Sequence, residues 1–396
     1  MSNNYLFNDK MPVAPLKIAA LESCTDFANK VNDYIVQFRH NDYNALKEKH
    51  VDSLELRGYQ KDSYLVDCDC PRFGSGEAKG VINTSVRGSD LFVMVDVVNY
   101  SLTYSICGHQ NHMSPDDHFQ DLKRIISAAI QSAHRVNVIM PFLYESRQHK
   151  RTKRESLDSA FALQELVNMG VNNIITFDAH DPRVQNAIPL HEFDNFMPTY
   201  QFIKAILQKE KDLVINKENM MVISPDEGAM SRAVYLANNL GVDVGMFYKR
   251  RDYSQVVNGR NPIVAHEFLG SNVEGKTVII VDDMIASGES MLDTAKALKD
   301  RKAKKVIVCC TFGLFTNGFE KFDEFYEKGY IDDIITTNLN YRPKELFEKP
   351  WYAEADMSKY LASIINTLNH DVSISDFLSN TDRIQNVITR YNNGTL

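Results

Sequence analysis

The feature that most constrains this chain is an alternation of two kinds of segment. Short apolar, β-branched runs end in polar or small residues, and longer stretches of helical period lie between them. A run that is apolar on both faces makes a stable strand only when helices cover both sides. The helix between two such runs is the crossover that parallel strands require. Strands are expected at Leu91 to Val95, Val136 to Met140, Asn173 to Phe177, Met220 to Ser224, Val244 to Tyr248, Thr277 to Val281 and Lys305 to Cys310. Helices are expected over 118–133, 157–168, 229–240 and 289–301. The fold class is therefore α/β, with two doubly wound, mostly parallel-sheet domains. No Pro/Gly linker marks a boundary, so strand counting places it near 196–200, giving domains over 1–198 and 199–396. The polar segment near 41–70 breaks the strand rhythm and reads as an insertion, and a second insertion is expected near 100–117. The packing of the last segment, 358–396, is left open, the first domain included.

Charge and length narrow the function classes. The longest apolar runs, such as Val306 to Phe315, fall far short of the ~18–20 residues of a membrane span, so no membrane association is expected. The first ten residues, MSNNYLFNDK, have neither the basic nor the apolar part of a secretory signal, which makes the cytoplasm the expected location. The 396 residues carry a net charge of -8, and basic residues cluster only at 147–154 and 249–251. Two short clusters suit a small polyanion, whereas nucleic acid needs a basic face. Six cysteines form no CxxC pair. Cys68, Cys70 and Cys107 with His109 and His112 match no zinc spacing, so a structural role is the favoured reading for them.

Ligands of open parallel sheets bind beyond the carboxyl ends of the strands. Four such ends are rich in chemistry: Pro141 to Arg151, Asp178 to Pro182, Ser224 to Gly228, and Asp282 to Ser290. The last is the most specific. Two adjacent carboxylates leaving a buried run need hydroxyls or cations, because an unpaired buried charge costs several kcal/mol, on the order of 3–5. Beyond them, Ser287, Gly288, Glu289 and Ser290 form a small, hydroxyl-bearing turn where a helix begins, and helix N-termini favour phosphate. Acids for hydroxyls and a turn for phosphate describe a phosphorylated-sugar site.

The segment VIIVDDMIASGES resembles the phosphoribosyl diphosphate loop of type I phosphoribosyltransferases and, more closely, that of ribose-phosphate diphosphokinases. The resemblance continues in order along the chain. Arg72-Phe73 with Gly76-Glu77, Val86-Arg87-Gly88 with Asp90, and Pro141 with Arg147-Gln148 are similar to successive family motifs. So are Asp178 with His180, Ser224-Pro225-Asp226 with Gly228, and Lys249-Arg250-Arg251 before the acid pair. What this implies is transfer of the β,γ-diphosphoryl group of ATP to the C1 hydroxyl of ribose 5-phosphate. Phe73, Glu77, Arg147 and Gln148 would bind ATP, with the adenine contacts coming from a neighbouring subunit of a homo-oligomer. His180 and Asp226 would anchor Mg2+, and Lys249 and Arg251, on a segment following their strand, would act with His180 in catalysis. Asp282, Asp283, Ser287, Gly288, Glu289 and Ser290 would hold ribose 5-phosphate.

Four departures stand out against the family pattern. Ala286 replaces an Asp, Glu289 a Gly and Ser290 a Thr, while Ser75 replaces an Asn or Asp. Glu289 suits a phosphate site only if its side chain points away. Two alternatives remain beside the synthetase: a phosphoribosyltransferase acting on a base, which has no need of Arg147, His180 and Asp226, and a catalytically silent regulatory homologue, which has no need of the intact acid pair.

Overall fold

The computed structural model describes residues 11–48, 57–251 and 263–395. The chain divides into two compact units: Met1–Met197 with Asn338–Tyr341 and Asp356–Ser379, and Pro198–Thr337 with Arg342–Ala355 and Asn380–Leu396. Residues 356–379, counted above with the second half of the chain, thus belong to the first unit. The helices in chain order are α1 (Thr25–Glu48), α2 (Pro115–Ala129), α3 (Asp158–Asn168), α4 (Thr199–Lys209), α5 (Met230–Leu240), α6 (Glu289–Asp300), α7 (Glu320–Glu327), α8 (Ser358–Asn369), α9 (Ser375–Leu378) and α10 (Thr381–Asn392).

The first unit contains β1 (Leu16–Ala20), β2 (Cys68–Asp69), β3 (Val81–Ile82), β4 (Asp90–Met94), β5 (Thr103–Ile106), β6 (His109–His112), β7 (Arg135–Ile139), β8 (Asn173–Phe177) and β9 (Glu192–Phe196). A parallel sheet runs β1-β4-β7-β8-β9 in chain order from edge to edge. The polar segment 41–70 serves this sheet. α1 extends through its start, and Leu65 bridges Ile18, with Tyr64 O and Val66 N each bonded to the Ile18 backbone. It thereby covers the edge of β1, which would otherwise offer an open ladder. Residues 100–117 hold the β5–β6 hairpin and the start of α2. That helix begins at Pro115, earlier than its apolar period suggests, because Ser114 and Asp117 form a capping box. Ser114 Oγ accepts from Asp117 N at 3.2 Å, and Asp117 Oδ2 accepts from Ser114 N at 2.9 Å. α8 packs on α1 through Arg39, which is buried. Its Nε donates to Asn366 Oδ1 at 3.0 Å and its Nη2 to Asn369 Oδ1 at 2.5 Å, while the guanidinium covers the rings of Tyr59 and Tyr64.

The second unit contains β10 (Met220–Ser224), β11 (Asp243–Arg251), β12 (Ile263–Leu269), β13 (Thr277–Ile285), β14 (Lys305–Gly313), β15 (Asp333–Thr337) and β16 (Tyr352–Ala355), in the order β12-β11-β10-β13-β14-β15-β16. All neighbours are parallel except β11 and β12. Met221, Ile223, Val278 and Ile280 join one core cluster, and Met220, Val222, Ile279 and Val281 the other. Alternate residues of a strand face opposite sides, so the doubly apolar runs are the record of two cores. Strand order reverses between β10 and β13, and such a switch point is where sheets of this kind bind ligands. Among the described residues, no helix is long and apolar enough to cross a membrane.

Candidate active site

Two strands that were read as ending before their functional residues run through them instead. β13 was expected to stop at Val281, yet its ladder with β14 continues through Asp282 opposite Cys310 to Ile285 opposite Gly313. β10 pairs with β13 only up to Ile280, so the acid pair projects past the end of β10 on the switch-point side. Likewise β11 does not stop at Tyr248. β12 supplies an antiparallel partner, Lys249 lies opposite His266 and Arg251 opposite Ile263, and the basic triplet belongs to the strand rather than to a segment after it. The side chains of Lys249 and Arg251 lie outside the described part of the structure.

Around the switch point, Asp226, Asp282 and Asp283 form one electrostatic group. Burial first, then the charges of Asp283 and Asp226, push the Asp282 carboxyl well above the usual carboxylate range. Asp282 Oδ1 accepts from Asp283 N at 2.9 Å. Asp283 is buried, and the buried guanidinium of Arg232 on α5 lies beside it, Nη2 to Oδ2 3.9 Å. Arg232 Nη1 also donates to Gly228 O at 3.4 Å, in the loop where Asp226 Oδ1 accepts from the N–H groups of Gly228 (2.9 Å) and Ala229 (3.3 Å). Arg232 was not singled out from the sequence. Its signal is an Arg on the buried face of the helix that follows the Ser-Pro-Asp segment.

After the acid pair the chain turns at Gly288, whose φ is +80°, into α6. A Cβ at Gly288 would lie 2.2 Å from Cζ of the buried Phe322, so both the backbone angle and the space require glycine there. Ser287 and Ser290 flank this turn, and no side chain caps the helix. Glu289 forms an ion pair with Lys321 on α7, Oε1 to Nζ 3.0 Å.

On the first unit, the residues expected to meet ATP lie on two loops. Residues 72–78 make a tight hairpin in which Phe73 N donates to Glu77 O at 2.7 Å and Gly76 N to Phe73 O at 2.8 Å. The Phe73 ring is 54% exposed, which a stacking surface requires and a core position does not. Glu77 Oε2 accepts from Ser75 Oγ at 2.9 Å. Arg72, by contrast, is an anchor. Both Nη groups donate to the Asp121 carboxylate at 2.8 Å, and its guanidinium covers the Tyr104 ring. In the loop after β7, Arg147 is exposed, whereas Gln148 Nε2 donates to Ser156 O at 2.8 Å and Lys150 O at 3.3 Å, clamping the basic segment. After β8, Asp178 turns with φ +42°, Ala179 N donates to Asn195 Oδ1 at 3.0 Å, and the His180 ring lies 5.5 Å from that of His149. Asp90, also named in a motif above, sits at the opposite, amino end of β4. It accepts from Arg135, Asn137 and Asn369 at 2.8 Å each and is structural. Cys68 and Cys70 line a cavity of about 90 Å³ with Arg72, Tyr104, His118 and Asp121, and burial pushes their thiols up to about 11 and about 12. Among the described residues no three His, Cys, Asp or Glu side chains gather closely enough to form a ready-made metal site.

Comparison with known proteins matches both units. Residues 16–170 match the N-terminal domain of ribose phosphate pyrophosphokinase, and residues 191–343 the phosphoribosyl transferase domain. A ribose-phosphate pyrophosphokinase of Thermosipho africanus is 30% identical over 278 residues, 69% of this chain and 79% of that protein. The chain belongs to the ribose-phosphate pyrophosphokinase family. The Vibrio cholerae member is 29% identical over 315 residues, 78% of this chain and 90% of the relative. The fold agrees with that of the phosphoribosylpyrophosphate synthetase from Mycobacterium smegmatis, with a TM-score of 0.68 at 21% identity over 90% of this chain and 99% of that one.

Proposed function

We propose that the protein is a ribose-phosphate diphosphokinase of the cytoplasm, active as a homo-oligomer, that makes 5-phosphoribosyl 1-diphosphate and AMP from ATP and ribose 5-phosphate. The observation that carries this reading is the acid pair on β13 leading into the Gly288 turn at the start of α6. Asp282 and Asp283 accept from the ribose hydroxyls, and the backbone N–H groups of residues 287–290 receive the 5-phosphate at the positive end of the helix. The pairing of Glu289 with Lys321 supports this, because the added carboxylate is neutralised beside the turn. Arg147 meets the phosphates of ATP, and Phe73 and Glu77 of a neighbouring subunit meet its adenine. The C1 hydroxyl oxygen bonds to the β-phosphorus, the bond from that phosphorus to the bridging oxygen of the α-phosphate breaks, and AMP leaves with those electrons while the hydroxyl proton passes to water. Lys249 and Arg251 neutralise the diphosphoryl group in transit.

The donor set fits Mg2+. After burial, the charges of Asp283 and Asp226 disfavour the ionised form of Asp282, a penalty that a cation relieves. Mg2+ keeps several of its waters and takes oxygens from substrate phosphates, so it needs few protein ligands. Asp226 and, through water, His180 would hold it. When bound it neutralises charge on phosphoryl oxygens.

Purified protein with ATP, Mg2+ and ribose 5-phosphate should release AMP in step with phosphoribosyl diphosphate. Lys249→Ala or Arg251→Ala should lower kcat about a hundredfold or more. No AMP from the parent protein, or nucleotide formation from phosphoribosyl diphosphate and free bases instead, would overturn the reading.

A further inference from the structure

Two residues of the first unit, neither of them assigned a role above, meet at His180. His149 follows Gln148, whose amide clamps the loop to Ser156 and Lys150. Its side chain is only 12% exposed, and its ring lies 5.5 Å from that of His180 at an interplanar angle of 54°. His149 Nε2 lies 3.4 Å from Asp181 Oδ2. Asp181 is itself fixed. Its Oδ1 accepts from Arg183 N and Arg183 Nε at 2.9 Å each, and its Oδ2 from Arg183 Nη2 at 2.5 Å. Hydrogen bonding to Arg183, with a contribution from the charge of His149, holds the Asp181 carboxyl well below the usual carboxylate range.

Asp181 also caps the 3-10 turn Pro182–Ala187, so the carboxylate facing His149 is tied to backbone and not to a flexible chain. The His180 ring thus neighbours an aromatic ring that is itself held by Asp181. A ring beside phosphates or a cation works only in one orientation, and outer residues that fix such a ring are worth about 10–100-fold in function. His149 Nδ1 is buried with no hydrogen-bond partner among the described residues. Among the described residues, the Asp181 contact is the polar contact this ring makes.

We propose that His149 and Asp181 are positioning residues that together brace the His180 imidazole in its working orientation. The inference rests on the function proposed above only for the consequence, not for the brace itself. Arg183 acts one step further out, by fixing Asp181.

The test uses the full chain with 15N-labelled histidine. In the parent protein without nucleotide or metal, the His180 ring nitrogens should give one sharp set of signals, assigned by their loss in His180→Gln. His149→Ala should shift or broaden that set, and Asp181→Asn should do so to a lesser degree. His149→Phe keeps the ring contact but not the Asp181 contact and should fall between parent and His149→Ala. In the ATP reaction, His149→Ala should lower kcat about tenfold or more, with KM for ribose 5-phosphate unchanged. Unaltered His180 signals in His149→Ala, or in His149→Phe and Asp181→Asn should His149→Ala not fold, would overturn the brace. A parent protein that makes no AMP overturns the proposed function and leaves the ring signals to decide the brace.

Discussion

At Asp282, burial and the charges of Asp283 and Asp226 favour the protonated carboxyl, whereas a sugar hydroxyl needs a carboxylate to accept its proton. A carboxyl whose pKa in the folded state lies above its unfolded value adds stability only while protonated. That contribution is complete below the unfolded value of 3.8 and is lost as the pH rises through the folded one. Asp282→Asn, always neutral, should therefore unfold at a higher temperature than the parent near neutral pH. The gap should close towards about pH 4, and binding of ribose 5-phosphate should be lost. Calorimetry at several pH values together with a binding titration checks this; a variant less stable at neutral pH would contradict it. The acid pair was legible because two adjacent carboxylates after an apolar run are costly to bury. Arg232 was not, because an Arg in an amphipathic helix looks the same whether it faces solvent or a buried acid.

At the scale of elements, the long parallel runs could be read and the strand ends could not. The register of a ladder depends on a partner, so β13 and β11 extend as far as β14 and β12 pair with them, past the point where local hydrophobicity fades. β9 (EFDNF) and β16 (YAEA) were missed because these edge strands carry polar residues and no continuous apolar run; β1 (LKIAA), β12 (IVAHEFL) and the interior β15 (DIITT) were missed as well. The Gly288 turn shows what the site asks of its element. A Cβ there meets Phe322 and the left-handed backbone angle disfavours any side chain, so Gly288→Ala should destabilise the second unit by about 1–3 kcal/mol. It should also raise KM for ribose 5-phosphate while leaving KM for ATP unchanged. Thermal denaturation and initial rates measure both. An unchanged KM for the sugar phosphate would mean that the turn does not hold the phosphate.

For the whole molecule, strand counting puts a boundary near 196–200 and leaves the place of the last segment open; Asp356–Ser379 lies in the first unit. Hydrophobic period marks α8 as a helix without naming its partner. Its face of Tyr360, Leu361, Ile364 and Ile365 is buried, and Asn366 and Asn369 take the donors of Arg39. Without α8 that guanidinium loses both side-chain acceptors and α1 loses the helix packed against it. Residues 1–197 produced alone should therefore lack the near-ultraviolet circular dichroism of fixed packing, and adding a peptide of residues 356–379 should restore part of it. A native-like spectrum from 1–197 alone would show that α8 is dispensable. The same return of the chain has a consequence for birth on the ribosome. Domains usually close in order as they emerge, at about 5–20 residues per second. Here the first unit cannot close until residue 379 has been translated, by which time every strand of the second sheet has already been made. The half that begins first is therefore the one that must wait, with its α1 face open to chaperones for most of synthesis.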